Sequence, residues 1–175
     1  MKWVLLVAAA LAVLIALAAA LAAMVGAALP LRHHATRKAR LRASPEALYA
    51  VIAGPPDWRT GVKRFGILPE KDGRRQWWEE DSHAQKITYE LVEDVPAKRI
   101  AVRIADRKLP FGGTWSFDIA PAPGGGSELR ISEDGEIYNV FFRVMARFFF
   151  GYTASIEGYL RDLGVKFSQT VEIEA

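Results

Sequence analysis

The stretch NVFFRVMARFFFGYTASIEGYLRDLG, residues 139–164, decides how the rest of the chain can fold. At about 100° per residue its large apolar side chains fall on one stripe and its charges on the opposite side, as in an amphipathic helix. Asn139 is a suitable N-cap and Gly164 a suitable stop, so the pattern predicts one helix of about 25 residues. The charges argue against a second membrane span. The apolar stripe comprises Phe141, Met145, Phe148, Tyr152, Ile156, Tyr159 and Leu163.

Phe150 breaks this helical pattern. It falls between Arg143, Arg147 and Ala154 on the charged side of the helix. Two interpretations stay open. Either Gly151 kinks the helix, or an exposed phenylalanine beside two arginines contacts the bilayer or a partner.

Six strands joined by tight turns are predicted before this helix. They lie near residues 65–69, 75–81, 87–93, 99–105, 114–120 and 128–137, with turn residues at 71–73, 95–97, 112–113 and 123–126. Connections this short join antiparallel neighbours, so these strands form a meander. Upstream, alternation over residues 36–43 predicts a first strand. Ser44 and Pro45 then open a short helix, and a second helical turn is predicted at residues 57–59.

One face of the predicted sheet is apolar, because neighbours along a strand point to opposite faces. Only the helix at residues 139–164 is long enough to cover that face. Large aromatic side chains on it are typical of an apolar pocket and also of a filled core. The inward set comprises Ile87, Tyr89, Leu91, Ile100, Val102, Ile104, Trp115, Phe117, Ile119, Leu129 and Ile131, with either Trp77 or Trp78.

Glu133 is an unusual member of the inward set. It continues the parity of Leu129 and Ile131, just before Asp134 and Gly135. A buried carboxylate needs a partner or has a raised pKa, which is how a general acid or base is made. Alternatively, a bulge at Asp134 and Gly135, or a salt bridge, takes Glu133 to the rim of the sheet.

The N-terminal tract predicts a membrane-spanning helix. Residues 3–29 carry no charge, and about 40 Å of helix exceeds the ~30 Å hydrocarbon core of a bilayer. A cleaved signal sequence is the alternative, since Lys2 precedes the tract and Val25-Gly26-Ala27, near its end, is a tolerable cleavage site. Basic residues between positions 32 and 42 place the following domain in the cytoplasm by the positive-inside rule. The periplasmic or extracellular side is the alternative.

These observations divide the chain into four parts. Residues 1–31 form a transmembrane anchor or signal sequence, and residues 32–35 a juxtamembrane linker. Residues 36–171 form one folded domain, and residues 172–175 a tail. The lysines and arginines of the strand at 36–43 form a solvated face or, alternatively, are attracted to anionic lipid.

Several classes of function have no support in the sequence. There is no cysteine and the net charge is only +3, so neither thiolate chemistry nor a basic nucleic-acid-binding surface is indicated. The three histidines, His33, His34 and His83, have no metal-ligand spacing. No serine-hydrolase elbow, Walker loop or dinucleotide fingerprint is present, so we expect no metal and no cofactor.

Three stretches are similar to polyketide cyclase/dehydrase-like members of the SRPBCC superfamily, which is also known as the START and pollen-allergen type. They are LPFGGTWSFDIAP (109–121), GGSELRISEDGEIYN (125–139) and ARFFFGYTASIEGYLRDL (146–163). The resemblance covers residues 36–170. It implies an α+β helix-grip fold in which a curved antiparallel sheet of about seven strands, in the order β-α-α-β6-α, wraps the C-terminal helix. It also implies a cavity between sheet and helix that holds a hydrophobic ligand, and some relatives are enzymes.

The leading hypothesis is therefore a membrane-anchored, non-catalytic protein that holds a lipid or other hydrophobic small molecule, with residues 3–29 in the bilayer. One alternative is a cyclase, aromatase or dehydratase that uses Glu133 with Tyr89 or Tyr152 as proton donors. Another is a membrane-proximal interaction module whose interior its own side chains fill. The sequence leaves the oligomeric state open. The residues predicted to contact a ligand are Tyr89, Trp115, Phe117, Phe141, Met145, Phe148 and Tyr152.

Overall fold

The first helix and first strand follow each other almost without a break. The computed structural model describes residues 2–175, and α1 spans Lys2–Ala28. Strand β1 spans Arg32–Leu41, with Arg32 paired to Glu136 of a neighbouring strand. The predicted linker at residues 32–35 was therefore wrong, because ladder hydrogen bonds hold these residues in β1. By length and composition α1 could be a membrane anchor or a signal sequence.

Two short helical segments follow β1. Helix α2 spans Pro45–Ala53, and the Ser44 side chain accepts a hydrogen bond from the backbone N–H of Ala47, so the predicted N-cap is confirmed. A 3₁₀ turn at Pro56–Trp58 then brings the chain to the sheet. Both segments lie where the sequence predicted them.

Eight antiparallel strands form one sheet, one more than the sequence predicted. The order across the sheet is β2-β3-β4-β5-β6-β7-β1-β8. The six strands after the 3₁₀ turn are β2 Arg64–Lys71, β3 Arg74–Glu80, β4 Lys86–Val95, β5 Arg99–Ile104, β6 Phe111–Pro121 and β7 Ser127–Ile137.

The last strand lies in the segment predicted to be a tail. Strand β8, Ile173–Glu174, pairs with β1 through Ala39 and Lys38. Lys38 Nζ also contacts a Glu174 carboxylate oxygen at 3.0 Å. The tail prediction for residues 172–175 was therefore wrong, because residues 173 and 174 form a strand. This strand covers the side of β1 that would otherwise be an unpaired edge.

Gly112 and Gly113 were predicted to form a turn, and this was also wrong. They lie inside β6, opposite Glu136 and Gly135 of β7. A Cβ on Gly112 would lie 2.6 Å from the Tyr138 hydroxyl, and one on Gly113 would lie 2.4 Å from the carbonyl oxygen of Asp134. Glycine is therefore needed there for close approach of neighbouring groups and not for chain reversal.

The long C-terminal helix predicted over residues 139–164 is broken in the structure. It consists of α3 Val140–Met145, a π-helical turn Ala146–Phe150, and α4 Ala154–Lys166. Asn139 caps α3 through the backbone N–H groups of Phe141 and Phe142, as predicted. Gly151 has φ 75°, which ends the first part, so a break at Gly151, one of the two interpretations left open for Phe150, is observed. Phe150 itself is exposed.

The hydrophobic core lies where α4 packs against β1 and β7. Leu48 of α2 closes one end of this core and is fully buried. Helix α4 does not extend over β2, β3 and β4, so the inner face of those strands is left to border a cavity. The fully buried apolar side chains are Leu48, Leu129, Ile131, Ile156, Leu160 and Leu163.

Candidate functional site

A cavity of about 1180 Å³ separates the inner face of the sheet from the C-terminal helical segments. Its sheet wall comes from residues of β2 to β7 together with His33 of β1, and it includes the side chains of β4 and β5 that parity placed on the inner face. Its other wall comes from the 3₁₀ turn, α3, the π-helical turn and α4. Apolar side chains from the sheet that line it include Ile87, Leu91, Ile100, Val102, Ile104 and Phe117.

Five of the seven residues predicted to contact a ligand line this cavity. They are Tyr89, Trp115, Phe117, Met145 and Tyr152. Phe141 and Phe148 do not line it, and their side chains are 46% and 61% exposed. The π-helical turn and the break at Gly151 change the rotation of the helix, so these two rings leave the predicted stripe. Contact between the five lining residues and a ligand stays a prediction.

Trp77, and not Trp78, is the inward tryptophan of β3. Its ring stacks on Tyr89 with centroids 5.7 Å apart and an interplanar angle of 24°. Trp78 points to the outer face, where Lys86 Nζ lies 3.9 Å from the centre of its ring. Trp77 and Tyr89 thus form one flat aromatic wall of the cavity.

Glu133 points into the cavity, and no bulge removes it. Strands β6 and β7 pair in continuous register from Trp115↔Glu133 to Gly113↔Gly135. One carboxylate oxygen of Glu133 lies 3.6 Å from His33 Nε2, and the other 3.5 Å from Ser155 Oγ. Burial raises the pKa of Glu133, and His33, Trp115 and Ser155 offset that effect only in part. The carboxyl group therefore has capacity for a hydrogen bond to a guest molecule.

His33 is the main partner of Glu133, and a glycine makes room for it. The imidazole stacks on Tyr152 with centroids 4.3 Å apart and an interplanar angle of 16°. It lies across Gly135, its register partner on β7, where a Cβ would be 2.4 Å from His33 Nε2. His33 therefore links the start of β1, the end of β7 and the segment after the π-helical turn.

A second polar group lies on the opposite side of the cavity. Arg59 Nη1 donates to Glu79 Oε2 at 2.7 Å, and Trp77 Nε1 donates to Glu79 Oε1 at 3.0 Å. Burial lowers the pKa of Arg59, but the Glu79 carboxylate, together with Tyr159 and Tyr89, more than offsets this effect, so the pKa is raised. Arg59 also lies 5.1 Å from the centre of the Tyr159 ring. Both carboxylate oxygens of Glu79 therefore accept hydrogen bonds of 3.0 Å or less, whereas the contacts of Glu133 with His33 and Ser155 are longer, at 3.6 and 3.5 Å.

Tyr89 and Tyr159 both lie near the Arg59–Glu79 pair, and Tyr89 lies near Glu133 as well. Burial raises the pKa of both, and the Glu79 charge adds to the effect. Both phenols are therefore protonated at neutral pH and can donate a hydrogen bond. Neither has a hydrogen-bonding side chain among residues 2–175.

Trp58 supplies another free donor. Its ring packs edge-on against Tyr159 with centroids 5.2 Å apart, and it lines the cavity. Trp58 Nε1 is buried without a hydrogen-bond partner among the described residues. Unpaired buried N–H groups are costly, so this one suits an acceptor that arrives with a ligand.

Solved structures with this architecture share little sequence with the chain. A START superfamily protein from Mycobacterium smegmatis matches with a TM-score of 0.61 and 16% identity, over 78% of this chain and 97% of that one. Norcoclaurine synthase from Thalictrum flavum matches with a TM-score of 0.59 and 10% identity, over 79% of this chain and 88% of that one.

A third similar structure is a two-domain protein. It is the ARO/CYC StfQ of the steffimycin biosynthetic pathway, with a TM-score of 0.61 and 14% identity. The match covers 79% of this chain and 52% of that one, so this chain spans about half its length. The chain has the helix-grip fold of the START superfamily. No family model and no curated protein sequence matches it.

In this helix-grip domain, three polar residues of the cavity are not predicted from the sequence. Glu79 shares the parity of Trp77, but the sequence does not decide which of Trp77 and Trp78 points inward. His33 shares the parity of Ala39 and Leu41, but the alternation that predicts the first strand begins only at residue 36. Arg59 directly follows the 3₁₀ turn, and no periodicity there indicates where its side chain points.

No group of three or more His, Cys, Asp or Glu side chains that could hold a metal ion occurs among residues 2–175. The polar groups of the helix-grip cavity instead include the Glu133 carboxyl, the Trp58 indole N–H, the Arg59–Glu79 ion pair and the phenols of Tyr89, Tyr152 and Tyr159. Such a set can orient an oxygen-bearing end of a largely apolar guest.

Proposed function

We propose that this chain is a membrane-anchored binding protein that holds a hydrophobic small molecule or lipid between its sheet and its C-terminal helical segments. The observation that carries the proposal is the cavity of about 1180 Å³ with mostly apolar walls. Ligand sites of soluble proteins are typically ~300–1,000 Å³, so this volume suits a lipid-sized molecule.

The alternative is an interaction module whose interior is filled by its own side chains. The presence of the cavity disfavours this alternative. Protein interiors are normally packed with few voids larger than a water molecule. An apolar space of this size has a strong tendency to take up an apolar guest, since burial of apolar surface is favourable at ~25 cal/mol per Å². Helix α1 supports the membrane part of the proposal, because its apolar side chains are exposed along most of its length.

The test is native mass spectrometry of the full chain, extracted in a mild detergent. We expect an additional mass that corresponds to a retained lipid or other apolar molecule. Replacement of the facing pair Leu91 and Val102 by tryptophan (Leu91→Trp with Val102→Trp) fills the cavity and should remove that mass. Val165→Trp is the matched control, since Val165 is 74% exposed on α4.

A chain that neither retains an apolar molecule nor takes one up from a total lipid extract contradicts the proposal. Equal retention by the double tryptophan variant also contradicts it, because the guest would then lie outside the cavity.

A small-molecule enzyme is the second candidate, and the environment of Glu133 favours it. The carboxyl has a raised pKa, and its contacts with Ser155 and His33 are at 3.5 and 3.6 Å. Tyr89 offers a protonated phenol in the same cavity. Two of the similar structures are named as an aromatase/cyclase and a synthase, which is consistent with chemistry in such a site. Turnover that Glu133→Gln leaves unchanged would exclude Glu133 as its acid or base.

A further inference from the structure

We propose that α3 and the π-helical turn lie in the headgroup region of the membrane, and that the cavity opens directly to the bilayer between them and the sheet. This inference rests on the proposed function, since it presumes that α1 spans a membrane. It adds a route: the guest passes from the bilayer into the cavity without crossing water.

Helix α1 packs closely against α3 at its C-terminal end. Gly26 is buried, and a Cβ there would lie 2.1 Å from the carbonyl oxygen of Val140. Such close backbone contact is typical of small residues at helix–helix interfaces. The position of α1 therefore determines the position of α3.

Arg143 strengthens this junction. Its guanidinium donates to the carbonyl oxygens of Ile137 at 2.7 Å, Tyr138 at 3.3 Å, Gly26 at 3.3 Å and Leu29 at 3.4 Å. Two of these carbonyls belong to the end of β7 and the following residue, and two to the end of α1 and the residue after it. One side chain thus joins the last turn of α1, the sheet and α3.

The length of α1 places this junction at the membrane surface. Residues 2–21 are all exposed, and at ~1.5 Å per residue they make about 30 Å of helix, the thickness of the hydrocarbon core. Burial against the domain begins at Ala22 and is complete at Gly26. The contact with α3 therefore begins where the hydrocarbon core ends.

The exposed surface of α3 and the π-helical turn is strongly apolar. Five phenylalanines lie within ten residues, each at least 46% exposed: Phe141, Phe142, Phe148, Phe149 and Phe150. Phenylalanines on an interfacial helix lie about 5–10 Å deep, at the boundary between headgroups and acyl chains. A patch of this kind on a soluble face would be a liability for aggregation.

Basic side chains surround this patch, which suits anionic headgroups. Arg147 is exposed within the π-helical turn. Arg32 lies shortly after the end of α1, with its guanidinium also bonded to Glu136 at 2.9 Å. Arg107 and Lys108 are exposed in the loop before β6. That loop lies beside α3, because Tyr138 N donates to the carbonyl oxygen of Pro110 at 2.8 Å.

The cavity reaches the same surface. Phe142 and Phe150 line the cavity, yet they are 47% and 66% exposed, so they form its rim. Phe141, Phe148 and Phe149 are exposed and do not line it. The same segment thus presents one group of rings to the surroundings and another to the opening of the cavity. We call the opening beside Phe142 and Phe150 the bilayer mouth.

The first test measures membrane depth in the full chain. Because the protein has no cysteine, Phe149→Cys gives a single site for a nitrobenzoxadiazole fluorophore. The chain is reconstituted in vesicles of equimolar phosphatidylcholine and phosphatidylglycerol that carry a nitroxide high on the acyl chain. We expect the label at position 149 to be quenched and a label at Lys98→Cys, in the turn between β4 and β5, to remain bright. Equal brightness at the two positions overturns the proposal.

The second test measures transfer of a bilayer-resident probe, cis-parinaric acid, from vesicles into the cavity. Energy transfer from the tryptophans of the domain reports uptake, in a Trp3→Phe background that removes the tryptophan at the start of α1. Three of these donors, Trp58, Trp77 and Trp115, line the cavity. Phe150→Asp places a charge at the bilayer mouth and should slow uptake roughly tenfold. Phe149→Asp carries the same charge in the same segment away from the mouth and should slow it far less.

Ile67→Asp tests the competing route. Ile67 also lines the cavity and is 81% exposed on the edge strand β2, away from α1. If Ile67→Asp slows uptake and Phe150→Asp does not, the guest enters from solvent, and the proposal that it enters through the bilayer mouth is wrong. If Phe149→Asp and Phe150→Asp slow uptake equally, the effect comes from weaker membrane contact, and the proposed entry through the bilayer mouth is again wrong.

The results expected if the proposed function is wrong differ from those expected if only the entry route is wrong. A wild-type chain that never takes up cis-parinaric acid at equilibrium, and carries no other apolar molecule, contradicts ligand binding, while the quenching result still reports the depth of position 149. Equilibrium uptake with an unquenched label at position 149 contradicts only the present inference.

Discussion

At the scale of single residues, the environment of Glu133 depends on Gly135, which leaves room for the ring of His33. We predict that Gly135→Ala displaces the His33 ring, because the added Cβ would lie 2.2 Å from its Cε1. Overpacking of this kind typically costs about 1–3 kcal/mol in the free energy of unfolding. Denaturant unfolding in detergent, followed by tryptophan fluorescence, measures it.

Gly158→Ala is the control for this substitution. Gly158 lies in α4, and nothing is within 4 Å of a Cβ added there. Alanine in a helix interior is favoured over glycine by about 1 kcal/mol, so this variant should be more stable than the wild type. A Gly135→Ala protein as stable as the wild type would show that His33 is not held against the β7 backbone.

The raised pKa of Glu133 gives a prediction for the dependence of stability on pH. The folded protein holds the Glu133 proton more tightly than the unfolded chain, whose carboxyl has the ordinary pKa of 4.5. The contribution of Glu133 to the free energy of unfolding is therefore intact below pH 4.5 and falls as the pH rises through the folded pKa. Glu133→Gln has no such fall, so its stability relative to the wild type should increase with pH.

Thermal unfolding between pH 4 and pH 8 measures this difference for wild type and Glu133→Gln. His33, Ser155, Trp115 and Tyr89 are the polar groups that face Glu133, and all are unchanged in the variant. Glu172→Gln, at an exposed site near β8, is the control and should follow the wild type. A constant difference between Glu133→Gln and wild type at every pH would mean that Glu133 titrates normally.

Residue-scale features were predictable where strand parity applied. Parity placed Tyr89, Trp115 and Glu133 on the inner face, because side chains alternate strictly along a regular strand. It would have placed His33 there as well, had the first strand been extended to Arg32. The stacking of His33 on Tyr152 was beyond prediction, since it depends on where the chain turns after Gly151.

At the scale of elements, the junction between α1 and α3 depends on a glycine that touches the opposite backbone. We predict that Gly26→Leu separates the two helices without unfolding the domain. The Cβ would meet the Val140 carbonyl oxygen at 2.1 Å, and a backbone group cannot rotate away as a side chain can. Spin labels at Leu17→Cys and Phe149→Cys report the separation by their distance distribution, which should broaden.

Ala27→Leu is the matched control, because Ala27 is exposed on the neighbouring position of α1. Its distance distribution should match that of the labelled parent. If Gly26→Leu leaves the distribution unchanged, α1 does not pack on α3 through Gly26.

Sequence periodicity could not predict where the C-terminal helix is interrupted. The apolar stripe over residues 139–164 continues at helical spacing through Gly151, so periodicity alone indicates one helix. A π-helical turn adds about one residue to a turn and changes which side chains face the sheet. This is why Phe142 and Phe150 line the cavity in place of Phe141 and Phe148.

At the scale of the whole molecule, the helix-grip arrangement combines a packed half with an open half. Helix α4 covers β1 and β7, where Leu129, Ile131 and Leu160 are fully buried. The inner face of β3, β4 and β5 borders the cavity instead. The amphipathic pattern of the sequence predicted which residues face inward, but the volume left between them depends on which strands α4 packs against, here β1 and β7.

This division predicts unequal costs for the same substitution in the two halves. Leu160→Ala removes a side chain surrounded by neighbours on all sides and should cost about 2–5 kcal/mol in the free energy of unfolding. Leu91→Ala removes a side chain that already faces the cavity, so it loses fewer contacts and should cost about 1 kcal/mol. Denaturant unfolding of both variants, in detergent and without added lipid, measures the difference. Equal costs would mean that the space beside Leu91 is packed as tightly as that around Leu160, and a guest would then have no room between the sheet and the helices.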